Sequence, residues 1–269
     1  MCGIDQLRAN SFLEAMPSEV RDRLNPHLEL VWMKLGETLS EPASKTGHVY
    51  FPVTAVISIV YVMQDGASGE VALVGNEGML GVSLFMGGTS RFTRAVVQSA
   101  GFAFKLRAQH LIEEFNRTGP MLELLMRYSQ ALSTQTLQIA ACNRRHRIDQ
   151  QLCRWLLSSL DRLASNELEI TQEFLATILG VRREAVTIAA RKLQDDGLIH
   201  CRRAHITVLD RVGLEARACE CYRIVKNECG RLLPMMSPGY VRDRSDDGRR
   251  TLGGFVGTSF RSMGSHSHA

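Results

Sequence analysis

Apolar positions change period along the chain, and the changes divide it. Between residues 28 and 107 they come in short runs broken by glycine. Residues 48–63 (HVYFPVTAVISIVYVM) are rich in Val, Ile and Tyr, which predicts strand, with Pro52 at an early or edge position. Residues 64–69 (QDGASG) are a turn signal, and residues 70–74 return, so 56–74 reads as a hairpin. Gly75, Gly78, Gly81, Gly87 and Gly88 punctuate the next stretch, and residues 94–106 read as strand, turn, strand. Many short strands with glycine turns predict a small barrel or roll.

The period becomes helical after Gly119-Pro120. Residues 121–143 contain no Gly or Pro, and Pro120 suits a first helical position. Leu125, Leu132 and Ile139 recur every seven residues, with Leu122, Ser129 and Thr136 at the companion positions. Such a heptad predicts a helix that pairs with its own copy. The polar Ser129 and Thr136 leave open a helix buried on its own domain. A second helix is predicted over 148–163, with Leu152, Trp155, Leu156 and Leu160 along one side. The basic residues 144–147 between the two read as a hinge, and 164–169 (ASNELE) as a polar connector.

Residues 170–210 carry the most specific pattern. Thr171 is a natural N-cap, with Ile170 and Leu175 placed as a hydrophobic staple. A short helix runs to Leu179, and Gly180 permits a sharp turn. A second helix spans about 182–194 and stops at Asp195-Asp196-Gly197. Two short helices about a glycine turn are a helix-turn-helix. Residues 198–201 and 205–209 then form a hairpin, a wing, tipped by Arg202 and Arg203.

Angular positions on the second helix separate two faces at ~100° per residue. Val186, Ala189, Ala190 and Leu193 fall together and can pack on the first helix. Arg183, Glu184, Thr187 and Ile188 fall opposite, near the N-terminal end, where a recognition helix meets base edges. Arg can pair with guanine and Glu can accept from cytosine. Arg182, in the first turn, would sit beside a phosphate.

Charge sharpens this only locally. The formal net charge is +4. It divides into −2 for residues 1–118, +3 for 119–165, +1 for 166–234 and +2 for the rest. The longest apolar run, 15 residues with Pro52 inside, is short of the ~20 that a membrane span needs. No secretory signal is visible, and seven scattered cysteines are no disulfide framework, so a reduced cytoplasmic protein is expected. From Met235 the chain turns Gly-, Ser- and Arg-rich, which predicts disorder. Cys219-Glu220-Cys221 with Cys229 is a poor match to structural zinc spacings and reads as ordinary cysteines, so no metal is expected.

At GVRREAVTIAARKL, with Arg183 and Glu184 in the usual Arg-Glu positions, the chain resembles the Crp/Fnr family of bacterial transcription regulators over about residues 20–234. Ile188 departs, because relatives usually carry a second base-reading Arg there. The resemblance implies an α+β protein of four parts. These are an N-terminal β-roll sensor of the cyclic-nucleotide-binding type (1–118), a dimerisation helix and hinge (119–145), a C-terminal winged helix-turn-helix (146–234) and the tail (235–269). It implies double-stranded DNA and a second copy of the chain as partners, RNA polymerase too if the protein activates, and no membrane. Members that bind cyclic AMP hold its ribose with a Gly-Glu pair and its phosphate with Arg-Ser. The matching positions here are Gly81-Val82 and Arg94-Ala95, so an effector other than cyclic AMP is expected, with Gly81 and Arg94 as candidate contacts. Iron–sulfur members use clustered N-terminal cysteines, where this chain has only Cys2, and no cofactor is predicted. Two rival readings are a ligand-binding roll that acts through protein partners and a small-barrel metal enzyme. The second lacks a His-x-His motif, since His48 and His110 stand alone.

Overall fold

The computed structural model describes residues 7–43, 47–88 and 92–233. The tail from 235, expected to be disordered, lies outside them. The N-terminal half holds two antiparallel sheets. One orders β1 (Glu29–Met33), β7 (Gly101–Arg107) and β3 (His48–Pro52) as β1-β7-β3. The other orders β2 (Thr38–Ser40), β6 (Thr93–Ser99), β4 (Val56–Val62) and β5 (Ser68–Val74) as β2-β6-β4-β5. The hairpin expected over 56–74 is β4–β5. Pro52 ends an edge strand, where a missing N–H is tolerated. Met33, Ile57, Val74, Ala95, Val97 and Ala103 fill the space between the sheets.

Three short helices were not legible in the pattern. They are α1 (Ser11–Ala15), α2 (Ser18–Leu24) and α3 (Ala108–Asn116). With the first turns of the long helix α4 (Pro120–Arg145) they cover β3 and β7 through Phe12, Phe51, Phe104, Leu111, Leu125 and Tyr128. Tyr128 fixes α4 in register on the roll. Its hydroxyl accepts from Met79 N at 2.9 Å and donates to Met79 O at 3.0 Å.

The heptad residues predicted to pair with a second copy pack within one chain. Leu125 is fully buried and Ile139 nearly so within one chain, and Leu132 is half-buried against the roll. The larger apolar side chains of α4 therefore serve its own domain. A second stripe, one position over, faces solvent: Met126, Gln130, Ser133, Leu137, Ala140 and Arg144. Its 4-3-4-3-4 spacing also follows the heptad period, with Met126, Leu137 and Ala140 as its apolar members.

The C-terminal half begins with α5 (Ile148–Leu160) and continues through α6 (Gln172–Leu179) and α7 (Arg183–Asp195). The wing strands are β9 (Ile199–Arg202) and β10 (His205–Val208), followed by α8 (Arg211–Arg217) and α9 (Cys221–Leu232). Part of the polar connector is strand β8 (Glu167–Glu169), which pairs with β10 and places Leu168 in the core. That core gathers Trp155, Leu156, Leu175, Val186, Leu193 and Ile206, and Val56 and Leu73 of the roll join it. The last helix, α9, runs back along α4. Among the described residues no helix is long and apolar enough to cross a membrane.

Candidate nucleic-acid interface

The sequence builds the α6–α7 corner with three local devices. Thr171 Oγ1 accepts from Phe174 N at 3.1 Å, so this hydroxyl caps α6. Ile170 and Leu175, the staple pair, are buried. Gly180 ends α6 with φ 65° and ψ 35°, a left-handed conformation that costs other residues more. Arg182 is the exposed N-cap residue of α7.

On α7, Val186, Ala189, Ala190 and Leu193 are buried, as their angular positions predict. Arg183, Glu184 and Ile188 are exposed, and Thr187 is half-buried. Ile188 is 71% exposed, an apolar side chain held in water on a helix that already has a buried face. The hydroxyl of Thr187 has two acceptors in reach, Gln172 Oε1 at 2.8 Å and Arg183 O at 3.0 Å. Gln172 therefore ties α6 to α7, a positioning role that only proximity reveals. Arg183 Nη1 lies 3.9 Å from Glu173 Oε2, and both side chains are largely exposed. So loose a surface pair contributes little and leaves the guanidinium able to turn to another partner. At the wing tip Arg202 and Arg203 are exposed and Ala204 has φ 56°. Ala204 O accepts from Ile170 N at 2.7 Å, which fixes the wing against the start of α6.

Residues 150–217 match the family model described as the Crp-like helix-turn-helix domain. This segment is a Crp-like helix-turn-helix domain. Over about 70–80% of its length the chain shares the fold of solved Crp/Fnr-family regulators. FixK2 from Bradyrhizobium japonicum aligns with 15% identity and a TM-score of 0.61, covering 71% of this chain and 98% of its own. A CRP-family transcriptional regulator from Thermus thermophilus aligns with 18% identity and a TM-score of 0.58, covering 70% and 96%. CLP from Xanthomonas campestris, a c-di-GMP responsive global regulator, aligns with 16% identity and a TM-score of 0.55, covering 72% and 100%. No curated protein sequence matches the chain.

Several cations flanking the Crp-like domain have internal partners. Arg147 makes two hydrogen bonds to Asp149, at 2.7 and 3.1 Å, and Lys192 Nζ lies 3.6 Å from the same carboxylate. Burial pushes the Asp149 pKa up, but these partners outweigh it and hold the carboxyl below its ordinary range. Arg147 of the basic cluster is therefore tied into the first turn of α5, where Lys192 of α7 meets the same carboxylate.

The two expected effector contacts, Gly81 and Arg94, each have a close neighbour within the roll. Arg94 sits on β6, half-exposed, with Nε 2.9 Å from Glu41 Oε2. Ala95 is buried between the sheets. Gly81 has φ 131°, and a Cβ there would stand 2.3 Å from Val49 Cγ1. Backbone conformation and close packing thus explain Gly81, and Arg94 is a partner of Glu41. An open groove of about 680 Å³ lies instead between the loop after Gly81 and α4, lined by Val82, Ser83, Gly88, Ser129, Ser133 and Thr136 among others. Its described lining offers hydroxyls and backbone but no formal charge.

Proposed function

We propose that this chain is a homodimeric, sequence-specific DNA-binding transcription regulator. The observation that carries the reading is the α7 surface. A fully buried base supports Arg183, Glu184 and Ile188 at the exposed N-terminal end of a helix, beside a wing tipped with two arginines. Arg183 and Glu184 read base edges, Thr187 and Ile188 shape the contact, and Arg182, Arg202 and Arg203 bind phosphates. Thr171 contributes by setting the start of α6. The protein pairs through the Met126–Ser133–Leu137 stripe, which presents two α7 helices to half-sites about one helical turn, ~34 Å, apart. If it activates, RNA polymerase is a further partner.

Selection of bound sites from random DNA should return a two-fold related sequence. Arg183→Ala should cost ~1–3 kcal/mol on that site and relax preference at one guanine. Arg202→Ala should weaken all sequences alike and flatten the salt dependence. Unchanged site preference in the Arg183 variant would refute the assignment.

The effector is not cyclic AMP. Val82 and the buried Ala95 leave a ribose hydroxyl and a phosphate oxygen without partners, and each such loss costs ~1–3 kcal/mol. Two losses weaken binding on the order of 10²-fold or more. Micromolar cyclic AMP should leave the melting temperature unchanged, and a clear rise would overturn this reading. Ser133 and Leu137 line the groove and also lie on the exposed stripe, so a ligand held there would touch the dimer seam.

A further inference from the structure

We propose that Cys142, His146, Cys219 and Cys221 form a binding site for one soft divalent cation, with zinc the best fit. Their ligand atoms all lie within 4.8 Å of one another. Cys142 Sγ is 3.5 Å from Cys219 Sγ, and Cys221 Sγ is 3.4 Å from His146 Nδ1. Tetrahedral zinc, with Zn–S near 2.3 Å and Zn–N near 2.0 Å, sets its ligand atoms roughly 3.5–3.8 Å apart. Three sulfurs and one imidazole nitrogen are a standard structural zinc set. A two-iron cluster would spread its ligands over two metal atoms, and this spacing offers room for one.

Two elements supply the ligands. Cys142 is in the last turn of α4, and His146, its C-cap residue, donates its backbone N–H to Cys142 O at 2.9 Å. Cys219 and Cys221 alternate at the turn between α8 and α9. All three cysteines are buried and form a cluster of their own. Cys229, which the sequence groups with Cys219 and Cys221, packs against the N-terminal core instead.

The surroundings match a metal site independently. His146 Nε2 lies 3.3 Å from Glu220 Oε2. A carboxylate at Nε2 keeps the proton on that nitrogen and frees the Nδ1 lone pair, which faces the sulfurs, for a metal. Gln138 Nε2 donates to Cys221 Sγ at 3.1 Å. Arg154 is buried, its Nε lacks a hydrogen bond, and it has no ion pair among the described residues. Three thiolates and one divalent cation carry a net charge of −1, which Arg154 can offset. A Cys142–Cys219 disulfide would use two of the sulfurs and leave the His146–Glu220 pair without a role.

The ligands bracket residues 150–217 on both sides, and Cys142 and Cys219 are 77 residues apart. The bound ion would tie the end of α4 to the start of α9 and fix the angle at which the Crp-like domain leaves the long helix.

The test uses the full chain, reduced and without an affinity tag. Protein prepared without chelator should contain one zinc per chain by elemental analysis. After chelator treatment, Co²⁺ should give the visible spectrum of a tetrahedral, sulfur-rich site at one equivalent. Cys219→Ser and His146→Ala should lose that spectrum and Cys229→Ser should keep it. Glu220→Gln should weaken affinity about 10–100-fold. Folded, reduced wild-type protein that takes up neither metal at micromolar concentration would overturn the proposal. So would a full cobalt spectrum in a Cys142→Ser/Cys219→Ser variant, or a Cys142–Cys219 disulfide in the protein as isolated.

Discussion

Leu137→Asp is expected to convert the dimer to a monomer and to lower affinity for a two-half-site operator on the order of 10²–10⁴-fold. Leu137 is 71% exposed and Met126 54% exposed, on a helix whose opposite face is fully packed. Two large apolar side chains exposed at heptad-compatible spacing on one side of a long helix fit a helix that pairs with its own copy. A charge placed on it meets its own copy across a two-fold axis, so each dimer would bury two unpaired carboxylates. The fold of one chain does not depend on Leu137, so the variant should remain folded. A monomer meets each half-site separately and loses the effective concentration that linkage provides. Leu125→Ala makes the contrast. It should cost about 2–5 kcal/mol of stability in each chain, because it opens a cavity in the core beneath α4. Sedimentation of both variants, with operator binding, separates the cases. A wild-type monomer at micromolar concentration, or full operator affinity in Leu137→Asp, would sink the seam.

The sequence shows a period of seven on α4 but cannot say which of two adjacent stripes faces the roll. Leu125, Leu132 and Ile139 are larger as a set than Met126, Ser133 and Ala140, and that draws attention to the face that is largely buried within one chain. Leu125 and Leu132 pack instead against the roll beneath α4. The helix-turn-helix is legible because its determinants are local. Thr171 caps within three residues, Gly180 turns in one, and the buried set on α7 repeats within three turns. Strand β8 is not legible, since Leu168 is a single apolar residue between two glutamates and gains its strand from β10. Arg94 matches half of an Arg-Ser motif by position, yet its partner Glu41 arrives from another strand region. The cysteine and histidine cluster is invisible for the same reason. Cys142-x3-His146 is a readable short spacing, but nothing local connects it to residues 77 positions away.

Glu70→Gln is expected to stabilise the protein by about 3 kcal/mol at pH 8 and to remove most of the loss of stability between about pH 4.5 and 7. Glu70 is buried on β5, where the roll meets α5. Ser58 Oγ donates to Oε2 at 2.7 Å, and Oε1 has no hydrogen-bond partner. Burial pushes the carboxyl up to about 7, against the Ser58 bond, the charges of Arg154 and Arg162, and the nearby Trp155 indole. A carboxyl raised in the folded state contributes fully below its unfolded value near 4.5, and that contribution is lost as pH rises through about 7. A rise from 4.5 to about 7 corresponds to about 3 kcal/mol. Glutamine keeps the shape and the bond to Ser58 and cannot ionise. Urea denaturation at pH 5 and pH 8 should therefore show wild-type protein losing stability with rising pH, and Glu70→Gln much less so. Equal losses in both would refute the assignment. The same surface holds Gln98 Nε2 against Ser159 Oγ at 3.0 Å, so ionisation of Glu70 acts where the N-terminal roll rests on the Crp-like domain.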